Sequence, residues 1–302
     1  MGRKIKKGPK GPFLLVKIVS YLNNCMTHKL LVVTYPDDLK QFEMFCYCLK
    51  KNWQGSKSLI VVTQQDTDQQ VVQKIIDHML LDGWKIKINQ TACSYKDRYT
   101  EQQVNKIFYS VNSAVDDVIV FDSKDFVLRP CDFSTFKSNE KYRVTYYLPD
   151  KLVKSYPDIK NVVDKSVDQL PNVSNLTPWI WNVGQLTRFW NYINDKFGNY
   201  KTWKTFPACT EIYGYYVFAW TEDNSEIHWH KHPKNWPLLI SGGWTHQTYD
   251  GILKAVVDFD QNPERIIWKH SRKLEDPRCI DVTRSVLIRY GIDQKFVDQV
   301  YD

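Results

Sequence analysis

Short runs of consecutive apolar residues alternate along the chain with segments in which apolar residues recur every three or four positions. The runs at 29–35, 57–63 and 118–121 are typical of parallel strands that are covered on both faces. The periodic segments after the first two runs predict amphipathic helices, and an alternating stretch at 84–88 predicts a further strand. This order, with its short connections, predicts an α/β fold with a Rossmann-type, mostly parallel sheet flanked by helices.

Polar residues in front of the periodic segments predict where the helices begin. Asp38, with Gln41 three residues later, matches a capping box. Thr67 or Asp68 begins the second helix, and Thr100 is the predicted cap of the third. These positions place one helix after each of the first three predicted strands.

The second half of the chain is less regular. Residues 142–148 alternate as in a more exposed strand, and residues 149–176 are polar and include Pro157 and Pro171, which predicts a long excursion or lid. A helix is predicted at 183–197. The segment 210–220 holds one acid among apolar neighbours and predicts either a buried helix or a buried strand.

No internal repeat or clean boundary divides the sequence, so we predict a single domain over residues 13–302. Within this domain, the regular strand–helix alternation lies at about 25–148, and the less regular part, with a C-terminal α/β extension, spans about 149–302. Residues 1–12 are predicted to form a disordered basic arm.

The formal net charge of +7 suits an anionic partner without establishing one. Five basic residues and no acid lie in the first twelve positions, and without these five charges the net charge falls to about +2. The arm is either a solubilising tail or a phosphate-binding element for nucleic acid or a membrane surface. Its basic residues are Arg3, Lys4, Lys6, Lys7 and Lys10.

The cysteines and the apolar stretches bear on the compartment. Seven cysteines lie at scattered positions without a CxxC pair, which predicts reduced thiols and no structural zinc. The apolar stretch at 13–19 mimics a signal peptide, but Lys17 interrupts it and no cleavage site of small residues follows. No stretch is long enough to span a bilayer. We therefore predict a cytoplasmic protein, and no protein partner is inferred.

Two carboxylates follow the strongest strand pattern. Asp122 and Asp125 come directly after the apolar run at 118–121, where the strand would leave the sheet. Ligands of open α/β sheets bind outside the carboxyl ends of the strands, so a carboxylate there can meet a metal, a ribose or a phosphate. No glycine-rich loop follows any predicted strand, which disfavours the dinucleotide-dependent dehydrogenases and the P-loop enzymes.

Other titratable residues leave alternatives open. Glu211 is either a buried acid paired with Arg or Lys, or a catalytic base with a raised pKa. Lys106 is either a surface residue or a contact to nucleotide or acceptor. The set of His228, His230 and His232 has no supporting ligands nearby and is a poor candidate for a metal site.

Three motifs in order carry a resemblance to a known class of enzymes. They are Gln102-Gln103-x-x-Lys106, then Asp122-Ser123-Lys124-Asp125 with Arg129-Pro130, and then Thr210-Glu211-Ile212-Tyr213-Gly214. Together they resemble the GT-A class of nucleotide-sugar glycosyltransferases, and more closely a bacterial and phage branch of glycosyltransferases. The resemblance spans roughly residues 29–220 and implies a GT-A-like fold, with a nucleotide-binding part at about 25–148 and an acceptor-binding part at about 149–302.

The resemblance also implies roles for individual residues. Asp122 and Glu211 would be catalytic, and the donor would be a nucleoside diphosphate sugar, with a UDP-sugar favoured. The expected donor-binding residues are Thr34, Tyr35, Gln103, Lys106, Ser123, Lys124, His270 and Arg272. The expected substrate-binding residues are Trp179, Trp181 and Tyr213, and the expected metal ligands are Asp122, Asp125 and His270.

One departure from the class leaves the role of a metal open. The class carries a DxD motif, which would place a second acid at position 124, where this chain has Lys124. A lysine there can neutralise the diphosphate directly as a fixed cation. Alternatively, Asp125 supplies the ligand to a Mn²⁺ or Mg²⁺ ion.

The acceptor is the least defined part of the interpretation. The expected acceptor is a hydroxyl group, and one candidate is a hydroxymethylated base in phage DNA that the basic arm would help to bind in the host cytoplasm. The alternatives are a glycosyltransferase that acts on a cell-surface glycan, a non-enzymatic nucleic-acid-binding protein, and a metal-dependent nuclease built on Asp122, Asp125 and Glu211.

Overall fold

The structure is a computed structural model that describes residues 28–79, 83–147, 162–163, 170–173, 177–208, 210–222, 226–231, 239–242, 248–270 and 276–301. The predicted basic arm at 1–12 and most of the predicted lid at 149–176 lie outside these residues. The disordered arm and the lid therefore stay predictions.

The described elements alternate between strand and helix in the first half of the chain. The strands are β1 (His28–Thr34), β2 (Ser58–Thr63), β3 (Lys85–Gln90), β4 (Asp117–Asp122), β5 (Asp125–Val127), β6 (Lys137–Ser138), β7 (Lys141–Tyr147), β8 (Asn172–Val173), β9 (Trp179–Asn182), β10 (Ile227–Lys231), β11 (Ile240–Gly242) and β12 (Ile267–Lys269). The helices are α1 (Leu39–Asn52), α2 (Gln69–His78), α3 (Arg98–Val111), α4 (Val183–Phe197), α5 (Glu211–Thr221), α6 (Tyr249–Gln261), α7 (Pro277–Arg289) and α8 (Gln294–Tyr301).

A five-stranded sheet in the order β3-β2-β1-β4-β9 forms the centre of the molecule. Strands β1 to β4 pair in parallel, and β9 lies antiparallel beside β4. All residues of β4 before Asp122 are buried, as expected for a strand that is covered on both faces. Helix α1 contacts α2 and α8, whereas α3 contacts α4 and α5, so two groups of helices flank the sheet.

The helix caps partly differ from the sequence prediction. Asp68 caps α2 as predicted, since its side chain accepts a hydrogen bond from Gln70 N. Asp38 precedes α1 but its side chain makes no capping bond, because the carboxylate contacts Lys124 instead. The cap of α3 is Asp97 rather than Thr100, and the helix therefore begins at Arg98.

A second part of the chain returns to the central sheet through a small sheet in the order β11-β12-β5. Strand β5 follows β4 after a two-residue turn, and β12 lies antiparallel to it. Helix α6 contacts β11 on one side and α7 on the other. Strand β12, from the C-terminal part of the chain, thus lies close to the carboxyl end of β4.

The predicted fold class is confirmed. The structure is an α/β fold with a mostly parallel central sheet, flanking helices and a C-terminal α/β extension. The segment 210–220, for which both helix and strand were open, is a helix, and the strand predicted at 142–148 is β7. Within the described residues, no helix is long and apolar enough to cross a bilayer.

Candidate active site

Asp122 is the last residue of β4, and its side chain emerges at the carboxyl edge of the central sheet. The neighbouring strand β1 places Val33 beside it, so Thr34 and Tyr35 continue past it at the same edge. The Asp122 side chain is 25% exposed, whereas the preceding residues of β4 are buried. It is therefore a carboxylate that a ligand can reach at the position where α/β sheets bind ligands.

Two lysines from distant parts of the chain hold the Asp122 carboxylate. Lys106 Nζ lies 3.0 Å from Oδ1, and Lys269 Nζ lies 3.0 Å from Oδ2. Gln102 Nε2 also donates to Oδ1 at 3.4 Å. Burial opposes ionisation of Asp122, but Lys106 and Lys269 outweigh it and hold the pKa of the carboxyl well below its ordinary value. Asp122 is thus a permanent anion and a weak base.

Asp125 is fully buried and shares Lys269 with Asp122. Its Oδ2 accepts the backbone N–H of Asp122 at 2.7 Å, which closes the turn between β4 and β5. Its Oδ1 lies 2.7 Å from Lys269 Nζ, which also donates to Thr177 Oγ1 at 2.6 Å. Burial raises the pKa of Asp125, and the opposing attraction of Lys269 does not cancel this.

Lys124 is turned away from the two carboxylates that flank it in sequence. Its Nζ lies 2.8 Å from Oδ2 of Asp38, a fully buried carboxylate at the start of α1. Ser123 Oγ lies 3.5 Å from the same oxygen. The side chain of Lys124 is 13% exposed, compared with 3% for Lys106 and Lys269. Lys124 is therefore the most accessible of the three site lysines.

Glu211 lies at the first turn of α5 and is linked to Asp122 through Lys106. Thr210 caps the helix by accepting from Tyr213 N, which fixes the start of α5. Lys106 Nζ lies 3.4 Å from Glu211 Oε1 and 4.6 Å from the centre of the Trp179 ring. Burial raises the pKa of Glu211, although Lys106 opposes the shift. Glu211 is thus a buried acid that is paired with a lysine and also borders the site, so both interpretations of this residue stay open.

Several buried polar atoms around these charges have no hydrogen-bond partner within the described residues. An unpartnered buried polar group costs about 1–3 kcal/mol, so such a cluster is typical of a surface that meets ligand or water. The atoms are Thr34 Oγ1, Tyr35 OH, Gln103 Nε2, Trp179 Nε1 and Glu211 Oε2.

Other predicted site residues have different surroundings. His270 stacks on Phe126 with ring centres 6.1 Å apart, and its Nδ1 lies 3.5 Å from Tyr301 OH. Burial lowers the pKa of His270 to about 4, so the ring is neutral at physiological pH. Trp181 is fully buried and stacks on Trp179, which leaves no face of Trp181 for a sugar.

The predicted roles of three further residues remain open. Tyr213 is buried in α5, two positions after Glu211. Arg272 lies outside the described residues, so its predicted contact with the donor stays a prediction. Gln103 is buried, and it is Gln102, the other glutamine of the same motif, that contacts Asp122.

The residues present do not fit a divalent metal. Among the described residues, no group of three or more His, Cys, Asp or Glu side chains is arranged to hold an ion, so Asp122, Asp125 and His270 are not gathered into one. Asp122 and Asp125 both direct an oxygen at the ammonium of Lys269. A hard cation would need these same oxygens as ligands.

Sequence reasoning missed Lys269, Thr177 and Asp38. Lys269 ends a short buried strand, and a lysine in such a strand indicates a carboxylate partner, since charged side chains are buried only when paired. That signal was present in the sequence but could not identify the partner. Asp38 was interpreted as a helix cap, and its contact with Lys124 depends on the tertiary structure.

Comparisons with known proteins add little at the sequence level. No protein-family model matches the chain, and no curated protein matches it. Among solved structures, the apo crystal structure of mouse xyloside xylosyltransferase 1 aligns with a TM-score of 0.42 and 12% identity, over 83% of this chain and 99% of that one. Because that similarity is low, the functional assignment rests on the side chains at the carboxyl edge of the sheet.

Proposed function

We propose that this protein transfers a sugar from a nucleoside diphosphate sugar to a hydroxyl acceptor. The observation that carries the proposal is the Asp122 carboxylate, which reaches solvent at the carboxyl edge of β4 between Lys106 and Lys269. The unpartnered hydroxyls of Thr34 and Tyr35 lie at the same edge. The three motifs that resemble the GT-A class meet at this place, and a UDP-sugar is the favoured donor.

Asp122 has the properties of a donor-binding residue. A carboxylate that stays ionised accepts hydrogen bonds from ribose or sugar hydroxyls, and charge-assisted bonds of this type are the stronger ones. Its low basicity argues against a role in taking a proton from the acceptor. Lys124, the most accessible of the site lysines, is placed to offset the charge of the leaving diphosphate.

Glu211 has the properties of the general base. One of its oxygens faces Lys106 and the other has no partner among the described residues. Burial raises its pKa toward the range in which a carboxylate accepts a proton from a hydroxyl. Trp179, whose ring lies against the Lys106 ammonium that contacts both acids, would bind the sugar.

The choice of acceptor rests only on the charge of the basic arm. The basic arm at 1–12 favours an acceptor that carries phosphates, such as DNA with a hydroxymethylated base, over a neutral cell-surface glycan. Incubation of the protein and a labelled donor with hydroxymethylated and unmodified DNA tests this. Transfer to the modified DNA alone supports the DNA acceptor. Transfer to a glycan but to neither DNA removes it.

The donor is tested with a panel of nucleotide sugars. We expect hydrolysis of one donor, a thermal shift with the matching nucleoside diphosphate, and loss of both with Asp122→Ala. Asp195→Ala, which removes an exposed carboxylate on α4, is the matched control and should behave as the wild type. Hydrolysis by a folded Asp122→Ala protein at the wild-type rate contradicts the assignment. Metal-dependent cleavage of nucleic acid without donor turnover supports a nuclease instead.

A further inference from the structure

The ammonium group of Lys269 is surrounded by oxygen atoms in a way that resembles the oxygen ligands of a bound metal ion. This ammonium lies 3.0 Å from Asp122 Oδ2, 2.7 Å from Asp125 Oδ1 and 2.6 Å from Thr177 Oγ1. An ammonium has three N–H donors, and here each has an oxygen acceptor. Two of these oxygens are the ones that a divalent ion at the end of β4 would bind.

The pairing of β12 with its two neighbouring strands fixes the position of the Lys269 ammonium. Lys269 lies directly opposite Asp125 in the antiparallel pair of β12 and β5. On its other side, β11 places Gly242 opposite Lys269, with a φ of +126°. A Cβ at Gly242 would lie 2.5 Å from Lys269 O, so only glycine allows this close approach. Both neighbours of β12 therefore hold Lys269 in register with the two acids.

The charge balance explains why a cation is needed there. Two carboxylates that share a buried site repel each other unless a positive charge lies between them. Lys124 does not supply that charge, because it pairs with Asp38. Lys106 contacts Oδ1 of Asp122, and its other carboxylate partner is Glu211 rather than Asp125. Among the described residues, Lys269 is the cation that contacts both Asp122 and Asp125.

We propose that Lys269 is the resident cation of this site: its ammonium holds the position between Asp122 and Asp125 that a divalent metal would take, so the protein binds its donor and turns it over without a metal. The converse also follows. Removal of the Lys269 charge should leave a pair of carboxylates that binds Mn²⁺. The metal-binding half of this inference stands on geometry alone, and the activity half rests on the proposed function.

Titration with Mn²⁺, followed by calorimetry and by electron paramagnetic resonance, tests whether Lys269 holds the position of a metal ion. We expect no binding to the wild type at this site, and at least about tenfold tighter binding to Lys269→Met, an uncharged side chain with a similar stem. Lys254→Met, which removes an exposed lysine on α6, is the control and should match the wild type. Adding Asp125→Asn to Lys269→Met should abolish the gained binding.

The wild type and the double variant keep the test decisive if Lys269→Met does not fold. Lys269→Met with Asp125→Asn removes one charge of each sign and leaves no unneutralised pair. If the wild type binds Mn²⁺ and Asp122→Asn removes that binding, the inference is overturned. If a folded Lys269→Met binds no more Mn²⁺ than the control, it is overturned as well.

Turnover of the donor in the presence of a chelator tests whether the activity is independent of a metal. We expect the wild-type rate to be unchanged in excess EDTA and unchanged again when Mn²⁺ is restored. Loss of turnover in EDTA with recovery in Mn²⁺ overturns the metal-free site. If no donor is turned over under any condition while Lys269→Met gains Mn²⁺ binding, the proposed function fails and the assignment of Lys269 stands.

Discussion

Lys106 is the residue on which the two acids of the proposed site depend. Its ammonium lies between Asp122 and Glu211 and is almost fully buried. Burial disfavours the charged form, but the attraction of Asp122 and Glu211 outweighs it and raises the pKa of Lys106 above its ordinary value. The lysine therefore stays charged throughout the physiological range, and it links the Asp122 carboxylate to Glu211.

We expect Lys106→Met to destabilise the protein by about 3–5 kcal/mol, because it removes one partner of a buried ion pair and leaves the other charge unpaired. Urea unfolding followed by circular dichroism measures this change. Lys254→Met, at an exposed position, should change the free energy of unfolding by less than about 0.5 kcal/mol. A loss as small as that of the control for Lys106→Met would show that the acids do not depend on it.

His270 predicts a specific pH dependence of stability. Its pKa in the folded protein is about 4, because burial and then the charge of Lys124 disfavour the protonated ring. In the unfolded chain the ordinary value is about 6.5, so as pH falls the unfolded state binds the proton first. Stability from this residue is complete above pH 6.5 and is lost progressively down to about pH 4, by roughly 3 kcal/mol.

His270→Phe isolates this effect, since it removes the titrating group and keeps an aromatic ring against Phe126. Carboxylates also contribute to acid unfolding, so the relevant measurement is the difference between variant and wild type from pH 7 to pH 4 in chemical unfolding. We expect the slope of stability against pH to be smaller for the variant. Equal slopes would mean that His270 is protonated as readily in the fold as in the unfolded chain.

The sequence could predict only those site residues that belong to short local motifs. Asp122, Lys106 and Glu211 were recognisable, because a strand-end acid and a lone acid in an apolar segment are unusual in themselves. Lys269 lies 147 positions from Asp122, and their contact depends on the pairing of β12 with β5. No periodicity within either segment contains that information. The substitute for the missing DxD acid was therefore sought next to Asp122 in sequence, at Lys124 or Asp125, and the contact of Lys269 with both acids was not predicted.

At the scale of elements, α5 places Glu211 by packing closely against the segment before it. Gly214 allows that approach, since a Cβ at this position would lie 2.6 Å from Ala208 Cβ and 3.0 Å from Phe189. The helix is buried around most of its surface, so it cannot shift freely to relieve a clash. The glycine in the third motif thus has a packing role beside the proposed base.

Gly214→Ala should destabilise the protein by about 1–3 kcal/mol, as expected for overpacking of a tight core. Thermal and urea unfolding measure the change. Gly184→Ala on α4 is the matched control, because a Cβ there meets only Asn182 Oδ1 at 3.4 Å. Alanine is the better helix former by about 1 kcal/mol, so Gly184→Ala should be neutral or stabilising. A Gly214→Ala protein as stable as this control would contradict the packing role.

The buried parallel strands β1, β2 and β4 were predicted more accurately than the helix starts, for a physical reason. A buried parallel strand requires a run of apolar residues whatever its neighbours are, and β1, β2 and β4 all follow this rule. A helix cap is one hydrogen bond, which competes with other uses of the same side chain. Asp38 forms an ion pair with Lys124 instead of a capping bond, and Asp97 provides the cap that was assigned to Thr100.

At the scale of the whole molecule, the C-terminal part completes the candidate site. The motifs that resemble the GT-A class end near residue 220, yet Lys269 comes from beyond them and contacts both acids after β4. The predicted division of the chain into a nucleotide-binding part and an acceptor-binding part stays a prediction. We infer that the donor site depends on both halves of the chain, since the cation between its acids comes from the second.

The distribution of charge leads to the last prediction, which concerns the acceptor. Five of the charges that make up the net +7 lie in residues 1–12, and the proposed donor site is built from other parts of the chain. A variant in which Arg3, Lys4, Lys6, Lys7 and Lys10 are replaced by glutamine keeps the length of the arm and removes its charge. We expect this variant to hydrolyse the donor at the wild-type rate, because the described residues that carry the proposed donor site at Asp122 come from other parts of the chain. If all five charges contact phosphates of duplex DNA, the slope of log affinity against log salt should become shallower by about 4 to 5. Fluorescence anisotropy with hydroxymethylated duplex DNA across a range of salt concentrations measures both affinity and slope. An unchanged slope would remove the arm from DNA binding, whereas reduced donor hydrolysis would show that the arm contributes to the donor site.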